Sequence, residues 1–289
     1  MTAQLMDGKV LRDEIVAALG TELDALGSPP VCLATMLVGD DRPSEVYVRM
    51  KQKAAEQAGM SSKHVQLPAG TSQGQVEAAV VELGADPAVN GILVQLPLPD
   101  GLDADAVLAV VPADKDVDGL TELSMGRLVR GLPGLVPCTP LGVMRLLERY
   151  GVETRGRRAV IVGRSTLVGL PLALLLARKG VDATVTIAHS RTPDLAELCR
   201  RADILVGAAG QARMLTADHV QPGAAVVDVG VSRTESGIVG DVDQESVAAV
   251  AGWLTPMPGG TGPMTIACLL QNTLAAARLQ GAVPVSPAD

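Results

Sequence analysis

Short apolar segments alternate with segments of helical periodicity along most of the chain, a pattern typical of strands and helices packed in layers. In the first half, strands are predicted at residues 31–38, 65–67 and 91–96, and helices at residues 43–57 and 73–83. Because parallel strands need crossover connections, this order predicts a mostly parallel sheet with helices on both faces.

The same alternation resumes after residues 100–137, a segment rich in Pro, Gly and Asp. Strands are predicted at residues 159–162, 184–188, 204–207 and 225–229, helices at 140–150, 168–179, 194–200 and 264–279, and a hairpin turn at Gly237. Thr139 is expected to cap the helix that follows it, with Pro140 at the first helical position. Beyond Gln280 the composition predicts a disordered tail.

We therefore predict an α/β protein of two α/β domains, the second a Rossmann-like dinucleotide-binding domain. The first domain is expected to span residues 1–137, joined by the C-terminal helix within residues 264–289, and the second to span residues 138–263. An active site is expected in the cleft between them, because a cofactor held by the second domain has to reach over to the first.

The chain has 289 residues, a formal net charge of -8 and four cysteines that form no C-x-x-C pair. An acidic chain lacks the global field that nucleic acid requires, so nucleic acid is not an expected partner. The dispersed cysteines indicate neither a disulfide framework nor a metal site. No apolar run is long enough for a bilayer and no signal peptide is recognisable, so we expect no membrane association and a cytoplasmic location.

A glycine-rich turn in the second half is the candidate cofactor site. The segment G-R-S-T-L-V-G-L-P, residues 163–171, follows a predicted strand and opens onto a helix. Gly163 would let a ligand approach the backbone, and the helix N-terminus offers free N–H groups to a phosphate. The strict G-x-G-x-x-G spacing is missing, so an ordinary tight strand-to-helix turn stays open as the alternative.

The end of the next strand bears on which dinucleotide would bind. It reads H-S-R-T, residues 189–192, where NAD-binding folds usually carry Asp or Glu for the ribose 2′-hydroxyl. The Ser190 hydroxyl and the Arg191 guanidinium suit a 2′-phosphate instead, with Arg164 as a second candidate. We therefore predict NADP rather than NAD, the alternative being that Arg191 is a solvated loop side chain.

Candidate chemistry lies in the first half. Tyr47 and Lys51 are four residues apart on one predicted helix, so they share a face. Gln95 ends an apolar strand, at the sheet edge where α/β folds bind ligands. K-D-V-D-G, residues 115–119, adds Asp116 and Asp118. A surface Tyr/Lys pair and an ordinary capped acidic turn are the simpler interpretations.

The segment P-M-P-G-G-T-G-P, residues 256–263, combines stiff prolines with glycines that leave room for a ligand against the backbone. This makes Pro258, Gly259 and Gly260 candidate ligand contacts. The alternative is a rigid entry to the last helix with Pro263 at its first position.

Six motifs stand in a fixed order: S-x-x-Y-x-x-x-K, V-Q-L-P-L-P, K-D-V-D-G, P-C-T-P, V-G-R-S-x-x-V-G-x-P and P-x-P-G-G-x-G-P. In this order the chain resembles the methylenetetrahydrofolate dehydrogenase/cyclohydrolases, from Asp7-Gly8-Lys9 to the last helix. The resemblance implies NADP-dependent oxidation of 5,10-methylenetetrahydrofolate and hydrolysis of the methenyl product to 10-formyltetrahydrofolate. It also implies a homodimer and a place in one-carbon metabolism and purine biosynthesis.

The resemblance further implies roles for single residues. Lys51 would be the catalytic lysine, Tyr47 its partner beside the pterin, and Gln95 the residue that tunes the lysine. Asp118 would anchor the pterin ring, and the glycines of the Pro/Gly segment would form a wall of the folate pocket. NADP contacts are implied for Gly163, Arg164, Ser165 and Ser190.

One segment near the implied nicotinamide site departs from the family pattern. It reads V-G-V-S-R, residues 229–233, where V-G-I-N is commoner, and it contains Val231 as a candidate cofactor contact. Met257 before Pro258 is also unusual.

Two other functions stay open. Another NADP-dependent two-domain dehydrogenase acting on a small acid or ketone would leave Gln95 and the Pro/Gly segment unexplained. A non-catalytic dinucleotide sensor would bind NADP without turnover.

Overall fold

The computed structural model describes residues 2–235 and 237–284. The strands are β1 (Gln4–Leu5), β2 (Cys32–Val38), β3 (Ser61–Leu67), β4 (Gly91–Val94), β5 (Arg158–Val162), β6 (Thr184–Ala188), β7 (Ile204–Gly207), β8 (Ala225–Asp228), β9 (Ser232–Thr234), β10 (Gly237–Val239) and β11 (Trp253–Leu254). The helices are α1 (Gly8–Ala25), α2 (Arg42–Gln57), α3 (Gln73–Ala85), α4 (Ala104–Ala109), α5 (Glu122–Arg130), α6 (Cys138–Arg149), α7 (Gly169–Ala177), α8 (Leu195–Cys199), α9 (Gln244–Ala248) and α10 (Thr261–Leu279), with a 3₁₀ turn at Ala217–His219.

The described chain divides into two compact units. The first unit contains Asp13–Cys138 and residues 266–284, and the second contains residues 2–12 and Thr139–Thr265. The sequence prediction placed the first dozen residues with the first domain. They lie in the second unit because β1 pairs in parallel with β11, Gln4 opposite Trp253.

The first unit is built on a parallel three-stranded sheet of order β3-β2-β4. Alternate residues of β2, among them Met36, are buried against apolar residues of α3 such as Val76 and Val80. The intervening β2 residues, among them Leu33 and Leu37, are buried as well. Both faces of the sheet are therefore covered, as the sequence predicted.

The second unit holds a six-stranded parallel sheet of order β1-β11-β8-β7-β5-β6. From β5 the chain first adds β6 on one side and then β7 on the other, so the strand order reverses between β5 and β7. Ligands of open α/β sheets bind beyond the carboxyl ends of the strands at such a reversal. Gly163 follows β5 and Ala208 follows β7 at this point.

Most predicted elements match the structure within a few residues, but several observed elements differ from their predicted bounds or were not predicted, among them α9 and β11. No element was predicted before Val31, where β1 and α1 lie. β3 is longer than predicted because its polar residues pair along the sheet edge, Ser61 opposite Cys32. Helix α6 begins at Cys138, so the prediction that Thr139 caps it is wrong. The Thr139 hydroxyl lies 3.0 Å from the Thr265 hydroxyl instead.

The predicted disordered tail is only partly within the described residues. Residues 281–284 are described, Val283 is buried, and Arg278 donates to the Pro284 carbonyl at 3.2 Å. The prediction is wrong for these four residues, and the rest of the tail lies outside the described residues. The predicted hairpin is confirmed as the antiparallel pair β9–β10.

Candidate active site

Helix α2 buries a lysine. Asp41 caps the helix by accepting the backbone N–H of Ser44 at 2.9 Å. The buried positions of α2 follow a helical period and are Ser44, Val48, Lys51, Ala54 and Ala55. Lys51 therefore takes an apolar-face position and is only 8% exposed.

Gln95, at the carboxyl end of β4, is the hydrogen-bond partner of Lys51. Its backbone N–H donates to the Met36 carbonyl at 2.8 Å, which continues the pairing of β4 with β2. Its side-chain nitrogen donates to the Leu96 carbonyl at 2.6 Å, and its side-chain oxygen accepts from Lys51 Nζ at 2.9 Å. The donation to Leu96 fixes which end of the amide faces the lysine.

The K-D-V-D-G motif is a loop anchored at its start. The buried Lys115 donates to the carbonyls of Gly84 and Asp86 at 2.9 and 2.8 Å, near the end of α3. Asp116 accepts the backbone N–H of Thr121 at 2.8 Å, which makes it the capped acidic turn considered above. Of the two carboxylates, only Asp118 remains for a ligand.

The end of the same loop is held by the last helix. Asn272 on α10 donates to the carbonyls of Val117 and Val136, both at 2.8 Å. The Cys138 thiol donates to the Val117 carbonyl at 3.2 Å and lies close to the Asp118 side chain. These bonds place Asp118 beside Cys138, with its charge acting on Lys51.

The electrostatics of this cluster favour neutral groups. Burial lowers the pKa of Lys51, although the charge of Asp118 opposes this shift. Burial raises the pKa of Asp118, and the Lys51 charge opposes that shift in turn. Burial also raises the pKa of Cys138 well above its ordinary value. An amine with a lowered pKa can take up a proton near neutral pH.

Tyr47 lies one turn before Lys51 on α2 and is 36% exposed. Within the described residues its hydroxyl has no hydrogen-bond partner. It is therefore available to a ligand at the rim of the Lys51 cluster.

In the second unit, the Pro/Gly segment packs on the Asp7-Gly8-Lys9 motif. The Gly259 carbonyl accepts the Gly8 N–H at 3.0 Å, and a Cβ at Gly8 would overlap the Gly260 carbonyl. Gly259 has φ +120°, a conformation that favours glycine. Pro258 is exposed. Helix α10 begins at Thr261, so Pro263 is in its first turn but not at its first position.

The predicted cofactor turn requires its two glycines. Gly163 has φ +136°, and a Cβ there would overlap the Ala208 carbonyl at the end of β7. A Cβ at Gly169 would overlap the Gly163 carbonyl. The Ser165 hydroxyl accepts the Val168 N–H at 3.1 Å, just before α7 begins.

Polar side chains lie in two neighbouring loops beside this turn, because β5 and β6 are paired with Val162 opposite Ala188. Arg164, Ser165, Ser190 and Arg191 are exposed in the loops that follow these strands. In the described part of the chain, neither arginine has an ion-pair partner. The tip of β6 carries no carboxylate, as predicted. Val231 follows β8 at the same sheet edge and is 52% exposed.

Sequence analysis assigned no role to several residues that shape these sites. Lys115 and Asn272 hold the Asp118 loop, and the buried Asp228 and Asp241 lie at the carboxyl edge of the second sheet. The one local signal was a carboxylate at the end of the apolar strand A-V-V-D.

Residues 2–235 and 237–284 contain no group of three or more His, Cys, Asp or Glu side chains arranged to hold a metal ion. None of the helices within these ranges combines the length and apolar character that a bilayer crossing requires.

The reversal of strand order and the glycine turn define a dinucleotide-binding unit, joined to a unit that buries an amine beside a carboxylate and an amide. Comparison with known proteins agrees. Residues 6–118 match the catalytic domain of tetrahydrofolate dehydrogenase/cyclohydrolase, and residues 137–281 match its NAD(P)-binding domain. The chain belongs to the tetrahydrofolate dehydrogenase/cyclohydrolase family.

Individual relatives match over nearly their whole length. Bifunctional protein FolD 2 of Frankia casuarinae is 55% identical over 282 residues, 96% of this chain and 97% of the relative. The crystal structure of FolD from Campylobacter jejuni is 44% identical, covers 96% of this chain and 99% of its own, and gives a TM-score of 0.93. A Trypanosoma brucei FolD structure, complexed with NADP cofactor and an inhibitor, is 38% identical, covers 97% and 99%, and gives a TM-score of 0.92.

Proposed function

We propose that this chain oxidises 5,10-methylenetetrahydrofolate to 5,10-methenyltetrahydrofolate with NADP, and hydrolyses the methenyl form to 10-formyltetrahydrofolate. Family membership supports both activities, since the full-length relatives are named bifunctional. The observation that carries the proposal is the buried Lys51, which donates to Gln95 at 2.9 Å and has a lowered pKa.

In the hydrolysis, we assign Lys51 the role of base. Water adds to the cationic methenyl carbon, and the amine takes the proton that the attacking water loses. Ring opening then needs a proton at the departing ring nitrogen, which the protonated lysine can return. The hydroxyl of the adduct loses its remaining proton to solvent as the C–N bond breaks and the formyl C=O forms. A cationic substrate beside Lys51 lowers the lysine pKa further by like-charge repulsion.

In the oxidation, positioning matters more than proton transfer, because a hydride leaves the methylene carbon. NADP supplies the hydride acceptor when bound. We assign Asp118 to the pterin ring, Tyr47 to the rim beside it, and Pro258, Gly259 and Gly260 to the folate pocket. The expectation that the two sites face each other across a cleft stays a prediction.

The residues of the second unit fit NADP. Gly163 lets the loops after β5 and β7 approach closely at the strand-order reversal, and Ser165 and Val168 lie just before α7, whose N-terminal N–H groups can bind a pyrophosphate. Arg164, Ser190 and Arg191 offer guanidinium and hydroxyl groups to the 2′-phosphate. The NADP complex of the Trypanosoma brucei relative supports this choice. Val231 is assigned beside the nicotinamide.

We further infer a cytoplasmic homodimer that serves one-carbon metabolism and purine biosynthesis and binds neither nucleic acid nor membrane. The family resemblance supports the dimer and the pathway, and the net charge of -8 supports the expectation that nucleic acid is not a partner. Light scattering that gives the mass of one chain would contradict the dimer.

A spectrophotometric assay tests the function directly. With 5,10-methylenetetrahydrofolate and NADP we expect NADPH formation, and with methenyltetrahydrofolate alone we expect loss of the methenyl absorbance. Turnover of a small hydroxy acid instead would favour another two-domain dehydrogenase. NADP binding without turnover of any substrate would favour a sensor.

A further inference from the structure

The carboxyl edge of the second unit's sheet contains two fully buried carboxylates. Asp228 ends β8, and Asp241 follows β10; both are 0% exposed. Asp228 accepts the Asp241 backbone N–H at 2.8 Å, so the two are linked through the backbone. Buried charges are costly unless they are fully hydrogen-bonded, which indicates that each has a defined task.

The Asp241 carboxylate binds the loop that follows β7. Its Oδ2 accepts the N–H groups of Ala209 and Gly210 at 2.5 and 3.0 Å, and its Oδ1 accepts that of Gln211 at 2.7 Å. Three successive amides that converge on one point form an anion-binding concavity. An asparagine has only one acceptor oxygen, so its NH₂ group would face at least one of these donors.

This loop borders the predicted cofactor turn. The Ala208 N–H donates to the Val162 carbonyl at 2.8 Å, and the Ala208 carbonyl occupies the space that a Cβ at Gly163 would need. A Cβ at Gly230 would overlap the Asp241 carboxylate itself. One side chain thus contacts the loop after β7, which borders the strand-order reversal, and the loop after the neighbouring strand β8.

We infer that Asp241 is a positioning residue for NADP binding, and that its charge holds residues 208–211 in the shape the cofactor requires. The inference rests on the proposed function, since it takes this sheet edge as the NADP site. Asp241 itself touches no cofactor; it acts through the amides of Ala209, Gly210 and Gln211.

Asp241→Asn tests this. We expect the KM and Kd for NADP to rise at least about tenfold, the effect of losing a buried charge-assisted hydrogen bond. At saturating NADP, kcat should change much less. Cyclohydrolase activity, measured on methenyltetrahydrofolate without NADP, should stay within about twofold, because its base Lys51 belongs to the other unit.

Asp203→Asn is the matched control. Asp203 also accepts a backbone N–H, that of Arg158 at 2.8 Å, and a side-chain bond from Gln221, but it precedes β7 and lies at the opposite edge of the sheet. We expect it to lower the thermal midpoint without changing the KM for NADP. If both variants raise this KM equally, or neither does, Asp241 is not a positioning residue. A wild-type enzyme that fails to bind NADP would instead contradict the proposed function.

A second measurement avoids variants that fail to fold. In the wild type, NADP should slow hydrogen exchange at the amides of residues 209–211, because coupling between the loop and the cofactor is reciprocal. The Arg158 amide, held by Asp203, should not respond. Equal exchange at residues 209–211 with and without NADP would overturn the inference.

Discussion

Lys51 and Gln95 are joined by a 2.9 Å hydrogen bond in which the amide oxygen accepts from the amine. Because the other end of the amide is bound to the Leu96 carbonyl, Gln95 cannot turn its NH₂ group toward the lysine. The direct hydrogen-bond partner of the buried amine is therefore neutral. A neutral partner orients the amine without restoring the charge stabilisation that burial removes.

Lys51→Met should reduce cyclohydrolase activity by about 10² to 10⁴, the usual contribution of a positioned base. Part of the hydride transfer should survive, because that step needs no base. Stopped-flow or steady-state loss of methenyl absorbance measures the first, and NADPH formation the second. Lys53→Met, on the exposed side of the same helix, should leave both unchanged. Full hydrolysis by Lys51→Met would exclude Lys51 as the base.

The same variant should be more stable than the wild type near neutral pH. The folded-state pKa of Lys51 lies below its unfolded value, so protonation of Lys51 favours the unfolded state. The contribution of the neutral amine to folding stability is fully present above the unfolded pKa and is lost as pH falls through the folded pKa. The advantage of Lys51→Met should therefore shrink as pH rises toward 10. Thermal midpoints of both proteins measured across pH 7 to 10 check the sign.

Asp118→Asn should move the pH profile of the hydrolysis to lower pH. The Asp118 charge raises the pKa of Lys51, so its removal lets the amine lose its proton earlier. The KM for folate should rise in the same variant if Asp118 anchors the pterin. The measurement is kcat against pH, with the exposed Asp114→Asn as control. A shift to higher pH would show that the charge of Asp118 does not act on the base.

Gly163→Ala should abolish NADP binding and spare hydrolysis. The added Cβ would overlap the Ala208 carbonyl and would force an unfavourable φ, whereas Gly180 has a similar φ of +97° with open space around it. Gly180→Ala should therefore cost only backbone strain, roughly 1 kcal/mol. Titration of NADP into both variants by calorimetry separates them. Normal binding to Gly163→Ala would mean that the turn is only structural.

Arg164→Ala combined with Arg191→Ala should lower the preference for NADP over NAD. The two guanidinium groups are exposed at neighbouring strand ends, and their charge favours a 2′-phosphate over a hydroxyl. The ratio of kcat/KM for the two cofactors is the measurement. An unchanged ratio would show that both arginines are ordinary solvated side chains.

As pH rises from about 4 to about 6, ionisation of the buried Asp228 should lower the free energy of unfolding. Burial raises the pKa of Asp228 to about 6, so the folded state holds its proton more tightly than the unfolded state does. Relative to Asp228→Asn, the wild type should lose up to about 3 kcal/mol as pH rises through this window, by linkage. Urea denaturation of both proteins at several pH values tests this. If the difference in unfolding free energy between the two proteins did not change with pH, the raised pKa of Asp228 would be contradicted.

Much of the fold was predictable because the hydrophobic periodicity of short segments indicates their secondary structure. β4 and α2 differ from their predicted bounds by only one or two residues. Helix α1 was not predicted, although its buried residues Leu11, Leu19 and Leu23 are spaced eight and four residues apart, as on one face of a helix. The length of β3 was not predictable, because its residues are polar and only pairing with β2 makes them a strand.

The candidate site, like the fold, was predictable only in part. Lys51, Gln95 and Asp118 were predicted together, and the structure brings their side chains into one cluster. Their roles stay predictions until the variants are measured. Lys115, Asn272 and Asp241 were not predictable, because each acts through hydrogen bonds to backbone groups distant in sequence, and such bonds leave no local pattern.

The two carbonyl groups that Asn272 binds flank Asp118, and Asn272 itself lies on α10, 155 residues after Val117. A ribosome therefore releases the segment at residues 117–136 long before it makes the side chain that fixes both ends of this segment. The amine, amide and carboxylate are all synthesised well before α10, yet their arrangement can mature only after α10 has been made. A nascent or truncated chain that ends before α10 would hold every reactive group and still lack an ordered place for the substrate.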